Sequence, residues 1–256
     1  MSITVETSDY QQLISHLDYL GLSEIRNNLP QVIDRVQKKE LSFLEALLKL
    51  TGEEVDQKRV KRQTTSIKMA GLPHLKELKD FDFDFQPSID RNQIYDLASL
   101  HFIENNENII FLGSPGVGKT HLATSLGIEA AKHRMRTYFT KATDMLSTLR
   151  KAKKENRLEA KMKHYISCRL LIIDELGFLP IQKGDEKLLF QVIDKRYEKK
   201  STILTTNIQF SDWGELFEDP RIANAILDRL LHHSHVVTIV GDSYRTKDLI
   251  QTTEEN

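Results

Sequence analysis

The chain has 256 residues, with 36 lysines and arginines against 37 aspartates and glutamates, a net charge of −1. That length allows one large domain, or a standard α/β domain with a small companion. The even balance excludes a chain held on nucleic acid by bulk charge alone. The single cysteine, Cys168, excludes an internal disulfide and fits a reducing compartment as a packed small hydrophobe. No apolar run approaches the ~18 residues of a membrane span, and Met1–Tyr10 lacks a basic and apolar leader pattern, so the expected location is cytoplasmic with no membrane partner.

In chain order, the first 70 residues read as helices only. Gln11–Leu20 carries Leu13, Ile14, Leu17, Tyr19 and Leu20, and Leu22–Leu29 reads as a short helix ended by Pro30. Ser42 opens a third helix, with Glu45 three residues on as a capping box. Phe43, Leu44, Leu47, Leu48 and Leu50 continue it, leading to a basic tail of Lys58, Arg59, Lys61 and Arg62. Gly71 and Pro73 break the pattern, predicting a helical domain over 1–70 and a second domain over 71–256. Phe81, Phe83 and Phe85 alternate with aspartates, which predicts strand-like packing against the second domain and disfavours base stacking on DNA. A helix is expected around Ile94–Phe102.

Beyond it, apolar strands alternate with helical patterns: Ile109–Leu112, Thr137–Thr140, Leu170–Ile173, Thr202–Thr205 and Val236–Ile239. Such alternation predicts an α/β fold whose five-stranded, mainly parallel sheet lies between helices, with ligands at the carboxyl ends of the strands.

The first of those ends is Gly113-Ser114-Pro115-Gly116-Val117-Gly118-Lys119-Thr120, the spacing of a phosphate-binding loop. Its glycines let successive backbone N–H groups converge on one phosphate, and the helix expected to begin near Lys119 adds the positive end of its dipole. Lys119 is suited to reach the β- and γ-phosphates of ATP, and the Thr120 hydroxyl to ligate Mg²⁺. Leu170–Ile173 runs into Asp174-Glu175. Asp174 at the strand tip suits the same metal, and Glu175 is placed to polarise an attacking water. Asn207 ends the next strand at Thr205-Thr206, where its amide can donate to the γ-phosphate. Arg229 and Arg245 are the two arginines that could add charge to that phosphate, and spacing alone does not choose between them.

A basic run lies between the second and third strands. Residues 150–163 hold seven basic and two acidic side chains, a net of +5. On one ideal helix, Arg150, Lys153, Lys154, Arg157, Lys161 and His164 share a side, with Glu155 and Glu159 opposite. This segregation predicts a stripe contacting DNA phosphates with little readout of sequence. His232, His233 and His235 have no cysteine or carboxylate at zinc spacing and read as helix-end and strand-edge packing.

Taken together, the phosphate loop, Asp174-Glu175, Thr205-Thr206-Asn207, the Asp228-Arg229-Leu230 helix and Ser243-Tyr244-Arg245 resemble an AAA+ ATPase of the initiator and helicase-loader clade. More narrowly, the chain is similar to IstB-type transposition helper ATPases encoded beside a transposase. The likeness includes Leu17-Asp18-Tyr19-Leu20-Gly21-Leu22 and Phe81–Phe85. It implies that Glu175 is the catalytic glutamate, Asn207 the polar sensor and Arg229 an arginine finger acting across a subunit boundary. Arg245 becomes a candidate second sensor, with the lid reduced or absent, and Leu78–Phe85 would border the adenine. The implied activity is ATP hydrolysis by a homo-oligomer that forms with ATP on double-stranded DNA and recruits or activates a transposase, with the 1–70 domain binding that partner. The alternatives are a helicase loader preferring single strands, a small-molecule kinase and a nucleotide-gated adaptor without turnover.

Overall fold

A computed structural model describes residues 8–178 and 181–246, and the chain falls into two compact units that part at Thr64/Thr65. The first contains α1 (Ser8–Tyr19), α2 (Ser23–Gln37) and most of α3 (Phe43–Met69). Its small core is Leu17, Leu29, Val32, Ala46 and Leu50. The capping box forms as expected: Ser42 N donates to Glu45 Oε2 at 2.8 Å, and Glu45 N donates to Ser42 Oγ at 3.3 Å. One expectation is corrected. Pro30 lies inside α2, because buried Leu29 and Val32 on either side of it offset the missing hydrogen bond. As expected, the helix opened at Ser42 runs on through the basic residues Lys58–Arg62, and α3 ends before Gly71, at φ +66°. Glu54 of α3 is buried and accepts the Glu24 and Ile25 N–H groups at 2.8 and 3.2 Å, satisfying the first turn of α2.

The second unit holds α4 (Arg91–Ala98), α5 (His101–Glu104), β1 (Asn108–Gly113), α6 (Lys119–Lys132), β2 (Thr137–Lys141) and α7 (Ala142–Lys154). Then follow α8 (Leu158–Ser167), β3 (Leu170–Leu176), α9 (Asp185–Arg196), β4 (Ser201–Thr206), α10 (Trp213–Leu216), α11 (Pro220–Leu231) and β5 (Ser234–Ile239). The five strands pair in the order β2-β3-β4-β1-β5, all parallel. Each contains its expected segment and extends beyond it. Alternate strand residues feed two cores: Ile110, Leu171, Ile173 and Leu204 face α7–α11, whereas Ile109, Phe111, Ile172 and Ile203 join the core of α4, α5 and α6. Buried Arg196 at the end of α9 ties it to α8 and the sheet, donating to the carbonyls of Tyr165 (2.8 Å) and Cys168 (2.9 Å) and to Thr202 Oγ1 (3.1 Å).

The helix expected over Ile94–Phe102 is split between α4 and α5 at Leu100, whose φ of +69° cannot continue a right-handed helix. Phe81–Phe85 is no strand: a 3₁₀ turn at Leu78–Asp80 precedes it, and Phe81 and Phe83 still pack on the nucleotide-side core. Among the described residues no helical lid follows β5, only a 3₁₀ turn at Tyr244–Thr246; the remainder of that expectation, from 247 on, lies outside them. No helix among the described residues is long and apolar enough to cross a membrane.

Candidate functional site

At the carboxyl ends of the strands opens a cleft of about 610 Å³. The loop after β1, the tip of β3 and the tip of β4 meet there, so Pro115–Thr120, Asp174, Glu175 and Asn207 line one space, and Arg245 joins them. Gly116 and Gly118 have φ of +87° and +102°. A Cβ at Gly118 would stand 2.6 Å from the Phe81 ring, and one at Gly116 would strike Ser243. The loop therefore demands glycine both for its turn and for the close approach of its neighbours. Lys119 Nζ donates to the carbonyls of Gly113 and Ser114 at 2.7 and 2.8 Å, lying back over the loop. Burial pushes its pKa down, with Asp174 opposing that shift.

A chain of hydroxyls organises the acidic tip. Thr120 Oγ1 and Thr205 Oγ1 both donate to Asp174 Oδ1, at 2.9 and 2.6 Å, and the Glu175 N–H donates to Thr205 Oγ1 at 2.9 Å. Asp174 is 1% exposed, and burial raises its pKa even though both hydroxyls favour the carboxylate. The β3–β4 register shifts between Ile173 and Leu176, and Glu175 adopts φ +59°. A bulge of this kind turns a side chain away from the alternation of the strand. Glu175 reaches Lys141 at the end of β2, Oε2 to Nζ 2.8 Å, and this contact raises the lysine pKa. A buried carboxylate beside a threonine hydroxyl is the hard oxygen donor set that suits Mg²⁺.

Three participants escaped the sequence reading. Lys141 and Thr205 each stand at a strand end, which was the available signal. His121 follows the loop directly; its Nε2 lies 3.1 Å from Glu77 O and its ring 5.2 Å from Phe81, and burial lowers its pKa. The segment after β5 is tied to the loop by Tyr244 N donating to Gly116 O at 3.0 Å, and to the stretch before α4 by Gln86 Nε2 donating to Asp242 O at 2.8 Å. These bonds bring Arg245 into the cleft. Arg229 is not among the cleft residues. Its Nε donates to Asp194 Oδ1 at 2.8 Å, and its guanidinium lies 4.8 Å from the centre of the Phe190 ring.

The basic run departs from the single helix expected of it. It breaks at Glu155–Arg157 between α7 and α8, where Asn156 has φ +54°. Arg150 turns inward to pair with buried Asp185 at 2.7 Å, the ion pair that this carboxylate makes among the described residues. Glu155, expected opposite, instead pairs with Arg157. Lys153, Lys154 and Lys161 are exposed and form no ion pair among the described residues. Arg157 and Lys161 also border a groove floored by Tyr138 and Tyr165.

Known proteins share this organisation. The chain is 57% identical over 241 residues to a protein named for ATP binding in insertion sequence IS232 of Bacillus thuringiensis subsp. berliner, covering 94% of this chain and 96% of that one. It is 44% identical over 232 residues to its counterpart in IS21 of Pseudomonas aeruginosa, covering 91% and 88%. The crystal structure of DnaI matches with a TM-score of 0.56 at 19% identity, over 64% of this chain and 90% of that one, a likeness of fold alone. Residues 15–252 match the family described as IstB-like ATP binding protein. With a phosphate loop, an acidic strand tip and a five-stranded parallel sheet in place, the chain belongs to that family, the ATP-binding proteins of IS21-type insertion sequences.

Proposed function

We propose that this protein is an ATP-hydrolysing transposition helper that assembles with ATP on double-stranded DNA and there recruits or activates a transposase. The observation that carries the reading is the hydroxyl chain joining Thr120, Asp174, Thr205 and Glu175 across the mouth of the phosphate loop. The loop N–H groups between Gly113 and Thr120, Pro115 having none, and Lys119 hold the triphosphate. Thr120 and Asp174 would hold Mg²⁺, which would supply neutralisation of the charge on the triphosphate. Glu175 orients and deprotonates the attacking water after leaving Lys141, and Asn207 donates to the γ-phosphate. Arg245 adds charge from the same chain; Arg229 adds it to a neighbouring subunit's nucleotide.

Names of the relatives place them in insertion sequences, which supports a transposase as the partner. The helical unit, taken as the partner-binding domain, exposes Phe43, Leu44 and Leu48 by 77, 73 and 71%, an apolar face that supports this role. Exposed Lys153, Lys154 and Lys161, with Arg157, supply the phosphate contacts, and a multimer repeats them along the duplex, so a neutral chain gains affinity by summation. The test is sedimentation with ATP or a slowly hydrolysed analogue, with and without duplex or single-stranded DNA. Large nucleotide-dependent assemblies on duplex are expected; preference for single strands would favour the helicase-loader reading.

A further inference from the structure

We propose that Glu198, His232 and His233 form a binding site for a borderline-soft divalent ion of the zinc type, separate from the nucleotide cleft. Although 34 residues or more separate the glutamate from the histidines, one donor atom of each lies within 4.8 Å of the others. No spacing in the sequence announces this, because the carboxylate comes from the turn after α9 and the imidazoles from the turn after α11.

Local backbone explains how they converge. Adjacent residues in extended chain point their side chains to opposite faces. Here His232 is extended, at φ −62° and ψ 121°, but His233 is left-handed, at φ +54°, so both rings fall on one side with centroids 3.9 Å apart. Glu198 is left-handed as well, at φ +56°, and its Oε1 lies 3.8 Å from His232 Nδ1. The Tyr197 hydroxyl is 2.6 Å from the same Nδ1 and gives it up when the ion binds there. His235 does not take part: it pairs with Glu107 at 2.8 Å, the packing role expected for all three histidines.

Two imidazoles and a carboxylate are a donor set for zinc, with at least one position left for water. Zinc at about 2.0–2.2 Å from each donor needs the donors about 3.3 Å apart, a closure that rotations of three exposed side chains supply. The bound ion ties the end of α9 to the end of α11. These two helices also carry Asp194 and Arg229, and the Arg229 guanidinium lies 5.9 Å from the centre of the Tyr197 ring. Occupancy thus restrains the surroundings of the arginine expected to act on a neighbouring subunit.

The experiment uses untagged, chelator-treated, nucleotide-free full-length protein, titrated with Co²⁺ by visible absorption and with Zn²⁺ by calorimetry. The expected result is one ion per chain, with uptake abolished in a His232→Asn/His233→Asn variant and weakened in Glu198→Gln. His235→Asn and Asp174→Asn should bind the ion as the parent does. Retained ATP affinity in the double-histidine variant shows that it is folded. The proposal is overturned if the parent takes up no ion, if the double variant matches it, or if Asp174→Asn abolishes uptake, which would move the ion to the nucleotide cleft.

Discussion

The nucleotide cleft and the basic segment of α7 and α8 handle charge in opposite ways. In the cleft, Asp174 is almost fully buried and two threonine hydroxyls fix one of its oxygens, so its ionisation depends on a few short contacts. On the basic segment, Lys153, Lys154 and Lys161 stand in solvent with no ion pair among the described residues. Each contributes little alone and is screened by salt. A buried charge acts through geometry, so single substitutions abolish function; an exposed stripe acts through its sum, so substitutions erode it by degrees. The difference predicts how each region responds when altered.

The largest effect is expected at the subunit boundary proposed for Arg229. Arg229→Ala should lower ATP turnover by about 10³–10⁵-fold while leaving ATP affinity unchanged. Glu175→Gln should lower it by about 10²–10⁴-fold as the loss of a general base. If Arg229 serves the neighbour's nucleotide, mixing the two inactive variants restores turnover at boundaries where an intact arginine meets an intact glutamate. Steady-state phosphate release reads this directly, and no recovery in the mixture would put Arg229 back in a surface ion pair with Asp194.

The basic segment should answer more gradually. Charge reversal at Lys153, Lys154 and Arg157 should weaken duplex binding and lower the slope of log K against log salt by up to about 0.9 per lost phosphate contact. ATP binding should survive. Fluorescence anisotropy at several salt concentrations measures both quantities; an unchanged slope would make the stripe ordinary solvated surface. Arg150 sharpens the contrast, since it belongs to the run in sequence but to the interior in space. Arg150→Ala leaves Asp185 without its cation, and one oxygen of that carboxylate already has no hydrogen-bond partner. The variant should lose about 1–3 kcal/mol of stability in denaturant unfolding, with the DNA salt slope unaltered.

Arg150 also marks where sequence stops being informative. The phosphate loop, Asp174-Glu175 and the strand ends were readable because the chemistry of a triphosphate demands fixed residue types at contiguous positions. The same holds for the five strands, whose apolar runs leave no alternative to a sheet buried on both faces. What could not be read depends on partners distant in the chain. Arg150 turns inward because Asp185 arrives from α9, 35 residues away. The break at Asn156 and the inclusion of Pro30 within α2 are set by packing that outweighs local propensity. Lys141 lies one residue past the expected strand Thr137–Thr140, and only the β2–β3 register puts it opposite Asp174 and its side chain on Glu175.

Asp174 allows the smallest and most specific test, because its burial has a pH signature. Its folded pKa is raised above the ordinary aspartate value, with burial as the largest cause. For such a group, the stabilising contribution is fully present below the unfolded pKa and is lost as pH rises through the raised folded value. Asparagine keeps an acceptor oxygen for Thr120 and Thr205 but carries no charge to desolvate. Nucleotide-free Asp174→Asn should therefore melt above the parent near neutral pH, and the gap should close as pH falls toward 4. With ATP and Mg²⁺ the order should invert, because the parent gains stabilisation from a ligand the variant binds less well. Thermal denaturation across pH, with and without Mg²⁺-ATP, reads both effects. A gap that stays constant with pH would show that the carboxylate is no strained charge, and that the acidic tip is poised by something other than its burial.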